Sequence, residues 1–280
     1  LKRGRDAAGW GDSHRQGVQY DANACGARSV PLRLILVRHG LSSFNLEHRI
    51  QGRDDLSSLT AAGEEQAASV GRSLAEVPID TALSSPLRRA ADTARRILQE
   101  QSQAPSLELS DALLEIDLGP WSGLLRQELA SHDPEGERRW RQAPHTLELQ
   151  RPDGSTYQPL SELMQQADRF CQQLRSRHGE ALSGSAQQTA LVVAHNGILR
   201  CLVLSLLGLP ASGFRRLRLD NASISVLNLS HRDGGGLEVQ IESLNGTSHL
   251  QADLPKRGSG PRLLLVRHGE TDWNREGRFQ

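Results

Sequence analysis

Aromatic residues are scarce in this chain: four Trp, two Tyr and four Phe among 280 residues. Leu, Val, Ile and Ala must therefore fill whatever core it builds. Lysine is nearly absent, with only Lys2 and Lys256, so almost all of the basic charge is arginine. Three cysteines, Cys25, Cys171 and Cys201, form an odd and widely spaced set. They make neither a disulfide framework nor a CxxC metal site, and they read as buried or incidental thiols in a reducing compartment. No apolar run of about 18 residues occurs, which excludes a membrane-spanning helix. The basic N-terminus has no apolar stretch behind it and does not read as a secretion signal. Basic and acidic residues balance at 33 each. No global field therefore favours nucleic acid or a membrane surface, and a cytoplasmic protein is expected.

What is present is an alternation of strand and helix signals. Residues 1–30 are polar and show no apolar period, as in a disordered or non-native leader. Leu32 to Val37, apolar but for Arg33, reads as a buried strand. Leu59 to Leu74 reads as a helix with Thr60 as its N-cap. Ile79 to Leu83 gives a second short strand. Pro86 suits the first turn of a helix running to about Gln101. Residues 131–160, polar and rich in Pro, Gly and His, read as a long insertion or lid loop. Leu160 to His178 is helical in pattern. Thr189 to Ala194 is a third strong strand, followed by an apolar helix from Ile198 to Leu207. Ser223–Leu229 and Leu237–Leu244 form a hairpin around residues 233–236. This order predicts a parallel sheet covered by helices.

A polar linker at 251–260 precedes an internal repeat. Arg262 to Gly269 restates Arg33 to Gly40, and Asn274, Glu276, Arg278 and Gln280 restate Asn45, Glu47, Arg49 and Gln51 at the same offset. A fixed offset marks a duplication. The expected organisation is a leader at 1–30, a domain at 31–250, a linker at 251–260, and at 261–280 the truncated start of a second domain.

Parallel strands present their C-terminal ends on one edge of the sheet, where α/β proteins bind ligands. Arg38 and His39 follow the first strand, Ser84-Ser85-Pro86-Leu87-Arg88-Arg89-Ala90 the second, and His195 the third. Arginine forks match phosphate oxygens, so this crevice suits a phosphate dianion. No metal-ligand spacing is visible.

These segments resemble the motifs of the histidine phosphatase (phosphoglycerate mutase-like) superfamily. Leu36-Val37-Arg38-His39-Gly40 resembles its signature, and Ser84 to Ala94 its second motif. Leu114-Glu115-Ile116-Asp117-Leu118-Gly119-Pro120-Trp121-Ser122-Gly123 resembles its acid-bearing motif, and Val193-Ala194-His195-Asn196-Gly197 its second-histidine motif. All four occur in family order, and the repeat resembles two-domain cyanobacterial phosphoglycerate mutase/phosphatase proteins. The sequence departs from the family pattern at Leu41, Ser42 and Phe44. A Pro-Gly-Gly-Glu-Ser element is reduced to Arg151-Pro152-Asp153-Gly154-Ser155.

The resemblance implies an α/β/α three-layer sandwich with a mostly parallel central sheet. It implies that His39 is the nucleophile, becoming phosphohistidine, and that Arg38, Arg89 and His195 clamp the phosphoryl oxygens. Arg89 is preferred to Arg88 because it directly precedes the alanine of its motif. Ser42, Asn45, Gln51 and Asn196 are expected to contact substrate, and Glu115 to protonate the leaving oxygen. The expected activity is hydrolysis of a small phosphorylated metabolite, without a metal or other cofactor. The alternatives are a mutase dependent on 2,3-bisphosphoglycerate, which is an isomerase, and a non-catalytic domain that binds phosphorylated ligands. A second histidine phosphatase domain is the expected covalent partner.

Overall fold

The computed structural model describes residues 32–183, 187–231, 236–251, 261–266 and 268–278. Strands are β1 Leu32–Arg38, β2 Thr81–Ser84, β3 Leu107–Leu109, β4 Leu149–Gln150, β5 Thr156–Tyr157, β6 Gln188–Ala194, β7 Ile224–His231 and β8 Leu237–Gly246. Helices are α1 Ser43–Leu46, α2 Ala61–Ser73, α3 Arg88–Leu98, α4 Leu129–His132, α5 Pro134–Gln142, α6 Pro159–Arg177, α7 Gly179–Leu182, α8 Asn196–Leu206 and α9 Asp272–Arg275.

The central sheet has the order β3-β2-β6-β1-β7-β8. β3, β2, β6 and β1 are parallel, and β7 and β8 complete the sheet antiparallel. β1 and β6 are central and covered on both faces, which is why Leu34–Val37 and Ala190–Ala194 are continuous apolar stretches rather than alternating ones. Successive side chains on β1 feed two cores. Leu34 and Leu36 join Leu163, Phe170, Ile198 and Leu202 from α6 and α8. Ile35 and Val37 join Val70, Ala94 and Ile97 from α2 and α3. The fold is therefore an α/β sandwich around a mostly parallel sheet, and the described residues from 32 to 251 fall in one compact unit.

Register decides what the sheet edge offers. Arg38 lies opposite Ala194, and Ser84 opposite Val193. The residues that leave these strands, His39, Ser85 and His195, therefore emerge together.

Several expectations need correction. Pro86 does not open α3, which starts at Arg88 with Leu87 as its N-cap. Residues 131–160 are not a structureless loop: they hold part of α4, then α5 and the short β4–β5 hairpin. Asp133 caps α5, its side chain accepting from Gly136 N at 2.8 Å. β3 had no counterpart in the sequence reading. Thr60 does cap α2, accepting from Gly63 N at 3.0 Å.

The leader at 1–30 and nearly all of the linker at 251–260 lie outside the described residues. Within the repeated segment, taken by itself, Leu263, Leu264, Leu265 and Val266 are exposed and form no strand. Only α9 is regular there. No helix of the described residues is long and apolar enough to cross a membrane.

Candidate active site

His39 leaves β1 buried, with Nδ1 2.8 Å from the Gly40 carbonyl. A carbonyl can only accept, so Nδ1 carries the proton and Nε2 keeps its lone pair. Burial, then Arg89, then Arg38 hold this imidazole well below the usual histidine range. It is therefore neutral at pH 7, the form that can attack phosphorus.

His195 is fully buried against it, with ring centroids 5.2 Å apart. Its Nε2 lies 2.8 Å from Ser85 Oγ. That hydroxyl already accepts from Leu87 N at 3.3 Å, so its own proton is available to Nε2. Donation by Ser85 places the His195 proton on Nδ1, which is buried with no partner among the described residues. Burial, followed by Arg89, His39 and Arg38, also pushes this histidine well down.

Two guanidiniums flank the histidines. Arg38 Nη1 donates to Leu219 O at 2.8 Å. Arg89 donates from Nη1 to Asp54 O at 2.8 Å and from Nη2 to Gly52 O at 2.9 Å. Backbone carbonyls thus fix both groups without neutralising them. The Nε–H of each is buried and without a partner among the described residues. Burial brings Arg38 down to about 10, with Glu115 opposing that shift, so it remains charged at neutral pH. Arg88, next to Arg89, is exposed.

Glu115 reaches the site from the loop after β3. Its carboxyl accepts from Gly197 N at 3.0 Å, Ile198 N at 3.1 Å and Ile116 N at 2.9 Å. The first two are otherwise unpaired N–H groups of the first turn of α8. Arg53 holds the same loop, donating to Glu115 O at 3.0 Å and to Gln166 Oε1 at 2.9 Å.

A cavity of about 450 Å³ opens over His39, Arg38, Arg89 and Glu115, and Asn45, Gln51 and Asn196 also line it. Asn45 Oδ1 is taken by Ser42 Oγ at 3.0 Å and by Asn221 Nδ2 at 3.0 Å. Gln51 Oε1 lies 3.1 Å from Ser42 Oγ. Both amides are therefore left with their N–H groups to offer. Ser42 is itself fully buried and absent from the cavity wall; it orients these amides rather than reaching the cavity.

Sequence reading missed Ser85, Arg53, Arg200 and Asn221. Asn221 Nδ2 also meets the carbonyls of His39 and Gly40, each at 3.1 Å. It also missed Trp140 and Phe214, which line the cavity together with Trp121 of the quoted acid-bearing motif. Ser85 lay inside a quoted motif, but nothing in its spacing announced a bond to His195.

The family model of the histidine phosphatase superfamily (branch 1) matches residues 34–241. Phosphoserine phosphatase 1 of Hydrogenobacter thermophilus is 34% identical over 223 residues, 79% of this chain and 98% of that protein. A probable 2-carboxy-D-arabinitol-1-phosphatase of Arabidopsis thaliana is 34% identical over 244 residues, 85% of this chain but 47% of that protein, so the chain spans about half of its length. A probable phosphoglycerate mutase GpmB of Salmonella arizonae is 36% identical over 223 residues, 79% of this chain and 96% of that protein. Among solved structures, mycobacterial glucosyl-3-phosphoglycerate phosphatase matches with a TM-score of 0.64 at 25% identity, covering 77% of this chain and 99% of that one. On the match of its sequence to the family model and of its fold to solved relatives, the chain belongs to the histidine phosphatase superfamily.

Proposed function

We propose that this chain hydrolyses a small phosphomonoester through a phosphohistidine on His39. The observation that carries the reading is the Nδ1 contact of His39 with Gly40 O, which leaves Nε2 as a neutral lone pair between two charged arginines. Nε2 attacks phosphorus, and the bond to the ester oxygen breaks as the N–P bond forms. The free N–H edges of Arg38, Arg89 and His195 take up the charge that builds on the phosphoryl oxygens. Asn45, Gln51 and Asn196 add contacts from the cavity wall.

An alkoxide leaves poorly, so Glu115 supplies its proton. A water molecule then attacks the phosphohistidine, Glu115 takes the proton from that water, and phosphate departs as the N–P bond breaks. The step assigns no role to a metal or a cofactor. The names of several relatives, phosphatases of small phosphorylated metabolites, support the hydrolytic outcome. In the mutase reading, favoured by the GpmB relative, a product hydroxyl replaces water and 2,3-bisphosphoglycerate charges His39.

The decisive experiment is brief incubation with 32P-labelled phosphomonoester followed by alkaline quench. Acid-labile label on the wild type and none on His39→Ala is the expected result; equal label on both sinks the reading. Release of inorganic phosphate rather than an isomerised ester then separates hydrolase from mutase.

The repeat at 262–269 supports reading residues 261–280 as the opening of a second domain of the same kind. A relative twice as long as the matched region is consistent with it.

A further inference from the structure

The carbonyl that sets the His39 tautomer is held from outside its own loop. Gly40 has no side chain to restrict its backbone, so the peptide between Gly40 and Leu41 turns freely unless something grips it. Two side-chain amides do so. At the N–H end, Leu41 N donates to Gln66 Oε1 at 2.8 Å. At the carbonyl end, Asn221 Nδ2 donates to Gly40 O at 3.1 Å. A carbonyl oxygen has two lone pairs. One of those on Gly40 O is taken by Asn221, and the other faces His39 Nδ1 at 2.8 Å.

Asn221 reaches further than this one oxygen. The same Nδ2 donates to His39 O at 3.1 Å and to Asn45 Oδ1 at 3.0 Å. Two protons are thus shared among three oxygens. The amide cannot be turned over, because its own oxygen would then face two backbone carbonyls.

The backbone beside Asn221 grips the same strand end. Ala222 N donates to Arg38 O at 3.0 Å and to His39 O at 3.2 Å. Ala222 is fully buried at φ 53°, in the left-handed region that alanine avoids. Such a conformation persists only where its surroundings over-determine it. Here they do. His249 Nε2 donates to Ala222 O at 2.9 Å. Asp220 N donates to Asn245 Oδ1 at 2.7 Å, and Asn245 Nδ2 returns a bond to Asp220 Oδ2 at 3.0 Å. Residues 220–222 are therefore anchored from β8 and from the turn at Ser248–Leu250, with their remaining donors directed at the end of β1. A tie between strands would be served by the backbone bonds alone. The Asn221 side chain adds a fixed direction for the carbonyl that meets the nucleophile.

We propose that Asn221 is a positioning residue for the nucleophile: its amide fixes the Gly40 carbonyl against His39 Nδ1 and so keeps Nε2 free to attack. The proposal rests on His39 being the nucleophile, and it names the side chain that holds the reactive tautomer. Asn221 acts through Gly40 rather than on the substrate.

The test reads the tautomer directly. Long-range proton–nitrogen spectra of the full chain, labelled with nitrogen-15 histidine, distinguish a protonated ring nitrogen from a bare one. His39→Ala identifies the His39 signals among those of the ten histidines. The wild type should show a protonated Nδ1 and a bare Nε2 on His39 at pH 7. Asn221→Ala should give a mixture of the two tautomers, and so should Asn221→Asp, whose carboxylate offers no donor. With either variant the single-turnover rate of phosphohistidine formation, per folded molecule, should fall by about 100-fold, the scale of a displaced reacting group. Asn221→Ser, which keeps a short donor, should be intermediate in both readouts, and it answers the question should the other two not fold. Gly71→Ala strains α2 against α3 instead. It should lose stability while keeping the wild-type tautomer and rate per folded molecule. A wholly bare Nε2 in Asn221→Ala overturns the proposal, whether or not the rate falls, since a slow variant with the wild-type tautomer is the signature of a merely structural residue. A mixed tautomer at an unchanged rate overturns it as well. Absence of phosphohistidine from the wild type would instead overturn the reading of His39 as nucleophile, leaving the spectra to decide what Asn221 holds.

Discussion

Gly197 lacks a side chain where the Glu115 carboxyl stands: a Cβ on it would lie 2.3 Å from Glu115 Oε1. The same backbone donates its N–H to the other carboxyl oxygen at 3.0 Å. The helix start and the acid therefore share one space, which only glycine leaves open. Gly197→Ala is expected to push Glu115 off the α8 N-terminus while leaving His39 in place. Turnover of alkyl phosphates should fall by about 100-fold, the lower end of what a general acid contributes. A smaller effect on His39 labelling by an activated ester should accompany it. Unchanged alkyl phosphate turnover would show that Glu115 is not held by this contact.

Glu115→Gln tests the acid itself. The amide keeps an oxygen for the α8 N–H groups but cannot transfer the proton. Alkyl phosphates need that proton, whereas the nitrophenolate of p-nitrophenyl phosphate leaves without it. The kcat for the alkyl ester should fall by about 100-fold or more, and that for the aryl ester by much less, in the step that forms phosphohistidine. Single-turnover kinetics on both esters read this step directly. Equal losses would remove the acid from the mechanism.

His39 and His195 also tie stability to pH. Both are held neutral, with pKa values well below their ordinary value of 6.5. Below pH 6.5 the unfolded chain binds protons at these histidines and the folded chain does not. Stability is therefore fully present above pH 6.5 and is lost as pH falls. The slope is about 1.4 kcal/mol per pH unit for each histidine until its folded pKa is reached. Urea midpoints measured from pH 7.5 to 5 should fall accordingly. His195→Gln should remove roughly half of the histidine part of that slope. A variant slope equal to the wild-type slope would mean that His195 is not buried neutral.

Much of this site was legible because its residues leave strands that announce themselves. The apolar runs at 34–37 and 190–194 lie in central strands buried on both faces, and the residues that end them must share an edge. β3 escaped notice because a three-residue edge strand, with Glu108 and Leu109 exposed, makes no pattern. α5 escaped because its polar composition hides a single anchor. Trp140 packs edge-on against Trp121 at 6.4 Å and against Phe214 at 5.9 Å. Ser85, Arg200 and Asn221 were missed for a different reason. Each acts through a contact with residues far away in sequence, and no local spacing encodes that direction.

The last prediction concerns what holds the nucleophile loop. A Cβ on Gly40 would lie 2.4 Å from Gly63 O, and one on Gly63 would lie 2.1 Å from Leu41 O. The start of α2 and the loop after His39 are thus packed backbone to backbone. Gly40 N also donates to Thr93 Oγ1 on α3 at 3.1 Å, so the loop is gripped from two helices. Gly63→Ala must drive the loop away from α2. It should cost about 1–3 kcal/mol, as overpacking does, and it should lower kcat because Gly40 O sets the His39 tautomer. Gly71→Ala is the matched control on the same helix. Its Cβ would lie 2.8 Å from Ile97 O, against α3 and away from the site. Both variants should lose stability in urea titrations, but only Gly63→Ala should lose kcat in proportion beyond its unfolded fraction. Equal activity per folded molecule in the two variants would show that the loop tolerates the shift.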